Sequence, residues 1–166
     1  MITLVLGGAR SGKSEIAERI AARSAGRVTY VATGAATDEE MAARIAAHRV
    51  RRPGSWATVE LGAGGDLAAT LRGTPGTVLV DSLGSWVAGL ASPIEGDAEK
   101  VVDALRGRTD DAVLVSEEVG MSVHPMTEAG RHFVDALGTL NQAVGAAADD
   151  VVLAVAGRAV RLEPFD

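Results

Sequence analysis

Four residues near the start of the chain have the types and spacing of a phosphate-binding loop. Gly7, Gly12, Lys13 and Ser14 satisfy the pattern G-x-x-x-x-G-K-[ST]. In such a loop the glycines let successive backbone N–H groups turn towards a phosphate, and the lysine reaches the β- and γ-phosphates. The chain has two lysines and fourteen arginines. This scarcity favours a specific role for Lys13, as a compact charge on a long arm, over a glycine-rich turn with an accidental lysine.

An acid at the end of a second apolar segment is a candidate metal ligand. Asp81 closes the segment "VLVD", and the carboxyl ends of parallel strands line the ligand crevice of an open α/β sheet. The sequence therefore predicts that Asp81 and the hydroxyl of Ser14 hold Mg²⁺. The alternative for Asp81 is an N-cap for a helix that starts at Ser82.

A histidine lies within a cluster of cations. His48 falls near the end of a predicted helix and is accompanied by four arginines: Arg44, Arg49, Arg51 and Arg52. Nearby cations are expected to lower the pKa of its imidazole and to keep it neutral, as a nucleophile requires. Arginines also bind triphosphates in a bidentate manner. Attack of His48 on an α-phosphate would expel pyrophosphate. The alternative is that His48 packs beside Met41 and Ile45 on the same helix face.

The apolar segments predict the elements that position these residues. Strands are predicted over 2–7, 28–33, 77–82 and 112–117, with a short strand or an extended loop over 56–60 and a strand or hairpin over 151–162, turning at Gly157-Arg158. Helices are predicted over 13–25, over 37–50 with a Thr37–Glu40 capping box, and over 127–148. Strands that alternate with helices indicate an α/β fold of the P-loop NTPase type. It would have a mostly parallel central sheet with helices on both faces and a possible C-terminal hairpin.

Length and composition restrict the class of protein. The 166 residues suit one nucleotide-binding domain over 1–166, and the net charge of −6 argues against a nucleic-acid partner. The absence of cysteine excludes disulfides and thiol chemistry, and the three histidines lack metal-ligand spacing. No apolar segment has transmembrane length, and no cationic leader precedes an apolar stretch. We therefore expect no membrane insertion and a cytoplasmic location.

The order of motifs along the chain is specific enough to indicate a family. The chain contains, in this order, "GGARSGKS", "YVAT", "DEEMAARIAAHRVRRPGSWATVE", "SEEVGM" and "GRHFVDALGTLNQAVGAAADDVVLAVAG". From about residue 1 to residue 160 it resembles the bifunctional adenosylcobinamide kinase/adenosylcobinamide-phosphate guanylyltransferase family. The resemblance implies a corrinoid substrate, ATP or GTP as phosphate donor, GTP as GMP donor, Mg²⁺ and a homotrimer.

The resemblance also implies roles for individual residues. His48 matches the histidine that carries GMP covalently, and Lys13 lies in the matching catalytic loop. Glu60 stands where a carboxylate would accept the donor edge of guanine; the alternative is a solvent-exposed strand end. The implied nucleotide contacts are Gly7, Gly8, Ala9, Arg10, Ser11, Gly12, Lys13, Ser14, Ala32, Thr33, Gly34, Arg49, Val50, Arg51, Arg52, Glu60 and Asp81.

The chain departs from the family pattern in three regions. Ala47 replaces the first of two adjacent histidines that some members carry, and "DSLGSWVAGLA" follows where the family tends to show Thr and Asn. Ser122, His124 and Met126 stand where the family tends to have Gly, an aliphatic residue and Glu. The later changes fall where the corrinoid is expected.

Two other functions remain open from the residues alone. A small P-loop kinase without a covalent intermediate explains Lys13 and Asp81 but leaves His48 and its arginines without a role. A GTP-binding switch is the second alternative, although no N-K-x-D-like guanine motif occurs. Only a guanylyltransferase is expected to retain a label from the α-phosphate through denaturation.

Overall fold

The computed structural model describes residues 1–34, 50–90 and 96–164. The strands of these ranges are β1 (Ile2–Gly7), β2 (Val28–Ala32), β3 (Ala57–Glu60), β4 (Thr77–Asp81), β5 (Ala112–Glu117), β6 (Asp150–Val155) and β7 (Arg158–Leu162). The helices are α1 (Lys13–Ala21), α2 (Leu67–Gly73), α3 (Leu83–Ala88), α4 (Asp97–Arg106) and α5 (Glu128–Ala147).

All seven described strands join one sheet in the order β3-β2-β4-β5-β1-β6-β7. Every neighbouring pair is parallel except β6 and β7, which are antiparallel. The predicted α/β class, the mostly parallel sheet and the C-terminal hairpin are thus confirmed. The carboxyl ends of β1, β4 and β5 lie at the same edge of the sheet, so the glycine-rich loop and Asp81 meet there.

Helices cover both faces of the sheet, as predicted. Val5 and Val115 point to the face on which α1 packs through Ala17. Leu4 points to the opposite face, where α2, α3, α4 and α5 pack, the last through Leu137. Burial of each such Val or Leu contributes about 1.5–3 kcal/mol. Because the central strands are covered on both sides, their sequences are continuously apolar.

Most predicted strand bounds agree with the structure to within one residue. The segments 2–7 and 112–117 coincide with β1 and β5, and the segment 56–60 contains a true strand, β3, at one edge of the sheet. The predicted helix 13–25 instead ends at Ala21. Beyond it the Ser24 hydroxyl lies 2.6 Å from the Thr77 hydroxyl, which fixes the chain at the start of β4 rather than in another helical turn.

The C-terminal hairpin turns one residue earlier than predicted. Its two turn residues are Ala156 and Gly157, with φ of 51° and 73°, rather than Gly157 and Arg158. Two successive positive φ values match the type of tight turn whose twist fits a β-hairpin.

Two described helices were not predicted from the sequence. Helix α2 has seven residues, and the Asp66 side chain caps it by accepting a hydrogen bond from the Ala69 N–H at 2.8 Å. Helix α4 buries Ala98, Val101 and Leu105 at helical spacing, a signal that the sequence does contain. The predicted helix 37–50 and its capping box lie outside the described residues, except for Val50. Val50 and the next residue, Arg51, are helical.

No helix in the described ranges combines the length and the apolar content that crossing a bilayer requires.

Candidate active site

The loop between β1 and α1 has the conformation that phosphate binding requires. Gly12, the N-cap of α1, adopts a left-handed conformation with φ of 91°. The Gly12 carbonyl accepts the first helical hydrogen bond from the Ile16 N–H at 3.0 Å. The free N–H groups of the first turn of α1, together with the positive end of its dipole, therefore face the loop and favour an anion there.

The C-terminal hairpin packs directly against this loop. The Gly157 N–H donates to the Ser11 carbonyl at 2.8 Å. A Cβ atom at Gly12 would lie 3.1 Å from the Gly157 Cα, and one at Gly7 would lie 2.8 Å from the Ala154 carbonyl oxygen. Close contact with β6 and the hairpin turn thus requires glycine at both positions, and Gly12 is also required by its positive φ.

Lys13 lies at the start of α1 with its ammonium directed over the loop. Its Nζ is 3.4 Å from the Gly8 carbonyl oxygen and 3.5 Å from Glu117 Oε1. The Lys13 side chain is 13% exposed, so it is largely ordered by its surroundings. An ammonium carries three donors, which lets it contact a phosphate while it keeps a protein partner.

Ser14 and Asp81, the two predicted metal ligands, lie within hydrogen-bond distance of each other. Ser14 Oγ donates to Asp81 Oδ1 at 3.3 Å, and the Tyr30 hydroxyl donates to Asp81 Oδ2 at 3.1 Å. A hydroxyl and a carboxylate beside a phosphate loop are the hard oxygen donors that Mg²⁺ prefers, with nucleotide phosphates and water completing its shell. The donor set therefore fits Mg²⁺ bound together with a nucleotide. The described residues contain no cluster of three or more acids and histidines that would hold a metal unaided.

The N-cap alternative for Asp81 does not hold, because Ser82 takes that role. Ser82 Oγ accepts a hydrogen bond from the Ser85 N–H at 3.1 Å at the start of α3. The Thr33 hydroxyl donates to the Ser82 carbonyl at 2.6 Å, and a Cβ atom at Gly34 would lie 3.5 Å from Ser85 Oγ. The predicted nucleotide segment 32–34 thus packs against the beginning of α3.

Three predicted site residues lie side by side at the carboxyl ends of adjacent strands. Ala32 on β2 pairs with Glu60 on β3 and with Asp81 on β4. Glu60 is exposed at the end of its strand. The strand order places Glu60 farther from the loop than Asp81. The loop follows β1, and β4 is two strands from β1 whereas β3 is four strands from it.

The arginines after the predicted helix are anchored to the protein. Arg51 Nε is 3.3 Å from Glu18 Oε2, and the Arg52 guanidinium lies 3.6 Å above the centre of the Tyr30 ring. Arg51 is exposed, whereas Arg52 is half-buried. These contacts join the segment at Arg51 to α1 and to the Tyr30–Asp81 pair. The predicted residues His48 and Arg49 lie outside the described residues.

Burial changes the acidity of Tyr30. The side chain is 6% exposed. Burial, and then the Asp81 carboxylate that accepts its hydrogen bond, raise the pKa of Tyr30 far above its ordinary value of 10.0, and the Arg52 cation acts in the opposite direction. The folded state therefore keeps the phenol protonated at a pH at which the unfolded chain releases the proton.

This difference predicts an alkaline loss of stability. Above pH about 10, Tyr30 loses its proton in the unfolded chain but keeps it in the folded protein. The free energy of unfolding therefore falls by about 1.4 kcal/mol for each pH unit. Tyr30 is the only tyrosine in the chain, so tyrosinate absorbance during an alkaline titration reports this group alone. We expect that absorbance to appear together with unfolding, as followed by circular dichroism, and Tyr30→Phe to lose stability less steeply. Tyrosinate absorbance at pH about 10 in a protein that is still folded would contradict the effect of burial.

Sequence reasoning missed four polar side chains of this site: Glu18, Tyr30, Ser82 and Glu117. Glu18 and Tyr30 lie inside segments that read as ordinary helix and strand. Glu117 ends β5, as Asp81 ends β4. The strand-end rule that selected Asp81 would also have found Glu117.

Comparison with known proteins gives a consistent result along the chain. A sequence model of the family described as cobinamide kinase / cobinamide phosphate guanyltransferase matches residues 3–162. The bifunctional adenosylcobalamin biosynthesis protein CobP of Pseudomonas aeruginosa is 42% identical over 95% of this chain and 94% of its own length. The bifunctional adenosylcobalamin biosynthesis protein CobU of Salmonella typhimurium is 36% identical over 98% of this chain and 100% of its own length.

A solved structure supports the fold independently of sequence. An ATPase from the type III secretion system of pathogenic bacteria matches with a TM-score of 0.58 and 10% identity. The match covers 92% of this chain and 50% of that chain. At this identity the likeness shows the fold alone.

Proposed function

Because the chain belongs to the cobinamide kinase / cobinamide phosphate guanyltransferase family, we propose that it catalyses two successive reactions on a corrinoid. In the first, a nucleoside triphosphate, ATP or GTP, phosphorylates the aminopropanol hydroxyl of adenosylcobinamide. In the second, GTP donates GMP to the new phosphate and gives adenosylcobinamide-GDP. Both reactions belong to cobalamin biosynthesis, and both need a site for a triphosphate.

The observation that carries the proposal is the meeting of the Ser14 hydroxyl with the Asp81 carboxylate, 3.3 Å apart, directly beside Lys13. A helix N-terminus, a cation and two hard oxygen donors here converge on one edge of the sheet. This combination suits a triphosphate with its metal.

In the first reaction Lys13 binds the β- and γ-phosphates as the charge on them shifts towards the leaving nucleotide. Ser14 and Asp81 hold Mg²⁺, which when bound neutralises phosphate charge. The Tyr30 hydroxyl fixes Asp81 by donating to its second oxygen. The acceptor hydroxyl then attacks the γ-phosphorus, and the bond from that phosphorus to the bridging oxygen breaks.

In the second reaction His48 attacks the α-phosphorus of GTP, pyrophosphate leaves, and the histidine-bound GMP passes to the corrinoid phosphate. What supports this role is the anchoring of the neighbouring arginines. Arg51 binds Glu18 on α1, the helix that begins at the loop. Three peptide units separate His48 from Arg51, and these span at most about 11 Å. We propose that one triphosphate site serves both reactions.

The remaining nucleotide contacts follow from the same arrangement. Glu60, which is exposed at the end of β3, is proposed to accept hydrogen bonds from the donor edge of guanine. The proposed phosphate contacts are the loop residues 7–14 together with Arg49, Val50, Arg51 and Arg52. The segment 32–34 is proposed to line the nucleotide between Glu60 and Asp81.

The domain organisation and the oligomeric state of the protein are also proposed. We propose one domain over residues 1–166, supported by the single sheet that all described strands share. The homotrimer is supported by the resemblance and by the edge strand β7, which exposes Val160 and Leu162. The cytoplasmic location stays a prediction.

A two-stage product assay tests the function. The purified protein is incubated with adenosylcobinamide, Mg²⁺ and ATP or GTP, and the corrinoid is followed by mass spectrometry. We expect a gain of one phosphoryl group, and with GTP a further gain of GMP. A phosphorylated corrinoid that never accepts GMP would favour a simple kinase. Tight nucleotide binding with neither product would favour a switch module.

A further inference from the structure

A carboxylate that the proposed function leaves without a role stands at the centre of the site. Glu117 is the last residue of β5 and pairs in register with Gly7, the first glycine of the loop. Strand β5 lies between β4, which ends at Asp81, and β1, which leads into the loop. The side chain of Glu117 therefore emerges between the proposed metal ligand and Lys13.

The position of the Glu117 carboxylate is fixed on several sides. Ser82 Oγ donates to its Oε2 at 3.0 Å, while its Oε1 lies 3.5 Å from Lys13 Nζ. The Asn141 side chain donates to its backbone carbonyl at 3.0 Å. The carboxylate also occupies the space beside Gly84, where an added Cβ atom would lie 2.9 Å from Glu117 Cδ. The absence of a side chain at Gly84 thus leaves the space that the Glu117 carboxylate occupies.

Two neighbouring acids, Asp81 and Glu118, make different contacts. Asp81 accepts from both Ser14 and Tyr30. Glu118 Oε1 accepts from the backbone N–H groups of Gly120 and Met121, at 2.6 and 3.2 Å, and so closes a turn. Glu117, by contrast, is 31% exposed and faces the Lys13 ammonium. It therefore lies beside the ammonium that is proposed to bind the β- and γ-phosphates.

We propose that Glu117 is the general base of the phosphoryl-transfer step, an assignment that rests on the proposed function. Its carboxylate takes the proton of the attacking corrinoid hydroxyl while the new O–P bond forms. The bond from the γ-phosphorus to the β,γ-bridging oxygen breaks, and the nucleoside diphosphate leaves with that electron pair. Ser82 holds one carboxylate oxygen and Lys13 orients the other, so the base is fixed before the substrate arrives.

The test separates a base from a residue that only positions Lys13. Glu117→Gln keeps the size and an acceptor for Ser82 but cannot take the proton. We expect kcat for corrinoid phosphorylation to fall about 100-fold, with the KM for the nucleotide and its affinity by calorimetry within about threefold of wild type. The covalent reaction with GTP is expected to persist, because attack by a neutral imidazole releases no hydroxyl proton.

A second variant displaces the carboxylate without removing it. Gly84→Ala places a methyl group against the Glu117 carboxylate and is expected to slow phosphorylation at least about tenfold, since small shifts of a catalytic group are costly. Gly138→Ala is the matched control, because Gly138 also lies within a helix and nothing lies within 4 Å of an added Cβ atom there. We expect it to leave phosphorylation unchanged.

Two outcomes would overturn the assignment. The first is phosphorylation by Glu117→Gln within about threefold of wild type, well short of the loss expected for a base. The second is a parallel loss of phosphorylation, nucleotide affinity and GTP reaction, which would make Glu117 a positioning residue for Lys13. Failure of the proposed function is distinct from both, because wild-type protein would then phosphorylate no corrinoid.

Discussion

Lys13→Ala is expected to slow corrinoid phosphorylation by about 100- to 1,000-fold, the usual loss when one charged stabiliser of a transition state is removed. Its ammonium lies over the loop, 3.4 Å from the Gly8 carbonyl oxygen, where the β- and γ-phosphates are proposed to bind. Charge accumulates on these phosphates as the γ-phosphoryl group transfers, and no other lysine lies near the loop among the residues that the structure describes. Initial rates at saturating nucleotide and corrinoid measure the effect.

Lys100 provides the matched control, because it is the only other lysine of the chain. It pairs with Asp97 at 2.9 Å on the exposed face of α4. Lys100→Ala is expected to keep the wild-type rate. Lys13→Arg is expected to remain strongly impaired, since a planar guanidinium does not replace a compact ammonium in the loop. A Lys13→Ala rate within a few-fold of wild type would place phosphoryl transfer elsewhere.

The sheet is the part of the fold that the sequence predicts best. Strands β1 and β5 were predicted at their observed bounds because both faces of the central sheet are buried, which leaves continuous apolar segments. Helix α2 was missed because seven residues are too few for a clear helical period. The hairpin turn was placed one residue late because Ala156, a non-glycine residue, takes a positive φ that its type does not predict.

Some residues of the site were predicted from a sequence motif, whereas others are brought into the site only by tertiary packing. Lys13, Ser14 and Asp81 were predicted because the loop has a fixed spacing and the acid ends a strand. Glu117 also ends a predicted strand, but the sequence does not reveal the strand order that places β5 between β4 and β1 and so brings Glu117 beside the loop. The stacking of Arg52 on Tyr30 was likewise not predicted, because the expectation for residues after a helix is exposure.

The covalent intermediate is where the proposed function differs most sharply from a simple kinase. With GTP and Mg²⁺, we expect His48 to become guanylylated and the adduct to survive denaturation. A histidine–phosphate bond is a phosphoramidate, so the label is expected to withstand alkali and to be lost in acid. Adenosylcobinamide phosphate is expected to discharge the adduct, and pyrophosphate to reverse its formation, because each drives the displacement in one direction.

The chain has three histidines, so three single alanine variants identify the labelled side chain by intact-mass analysis. His48→Ala is expected to abolish the adduct while phosphorylation continues, since the γ-phosphoryl group passes directly to the corrinoid hydroxyl. His124→Ala and His132→Ala are the controls, because His124 is exposed and His132 lies on the exposed surface of α5, 4.0 Å from Glu128. Both are expected to label like wild type. Absence of a GMP adduct in wild-type protein, or an undiminished adduct in His48→Ala, would refute the histidine intermediate, and the simple kinase would then explain the site better.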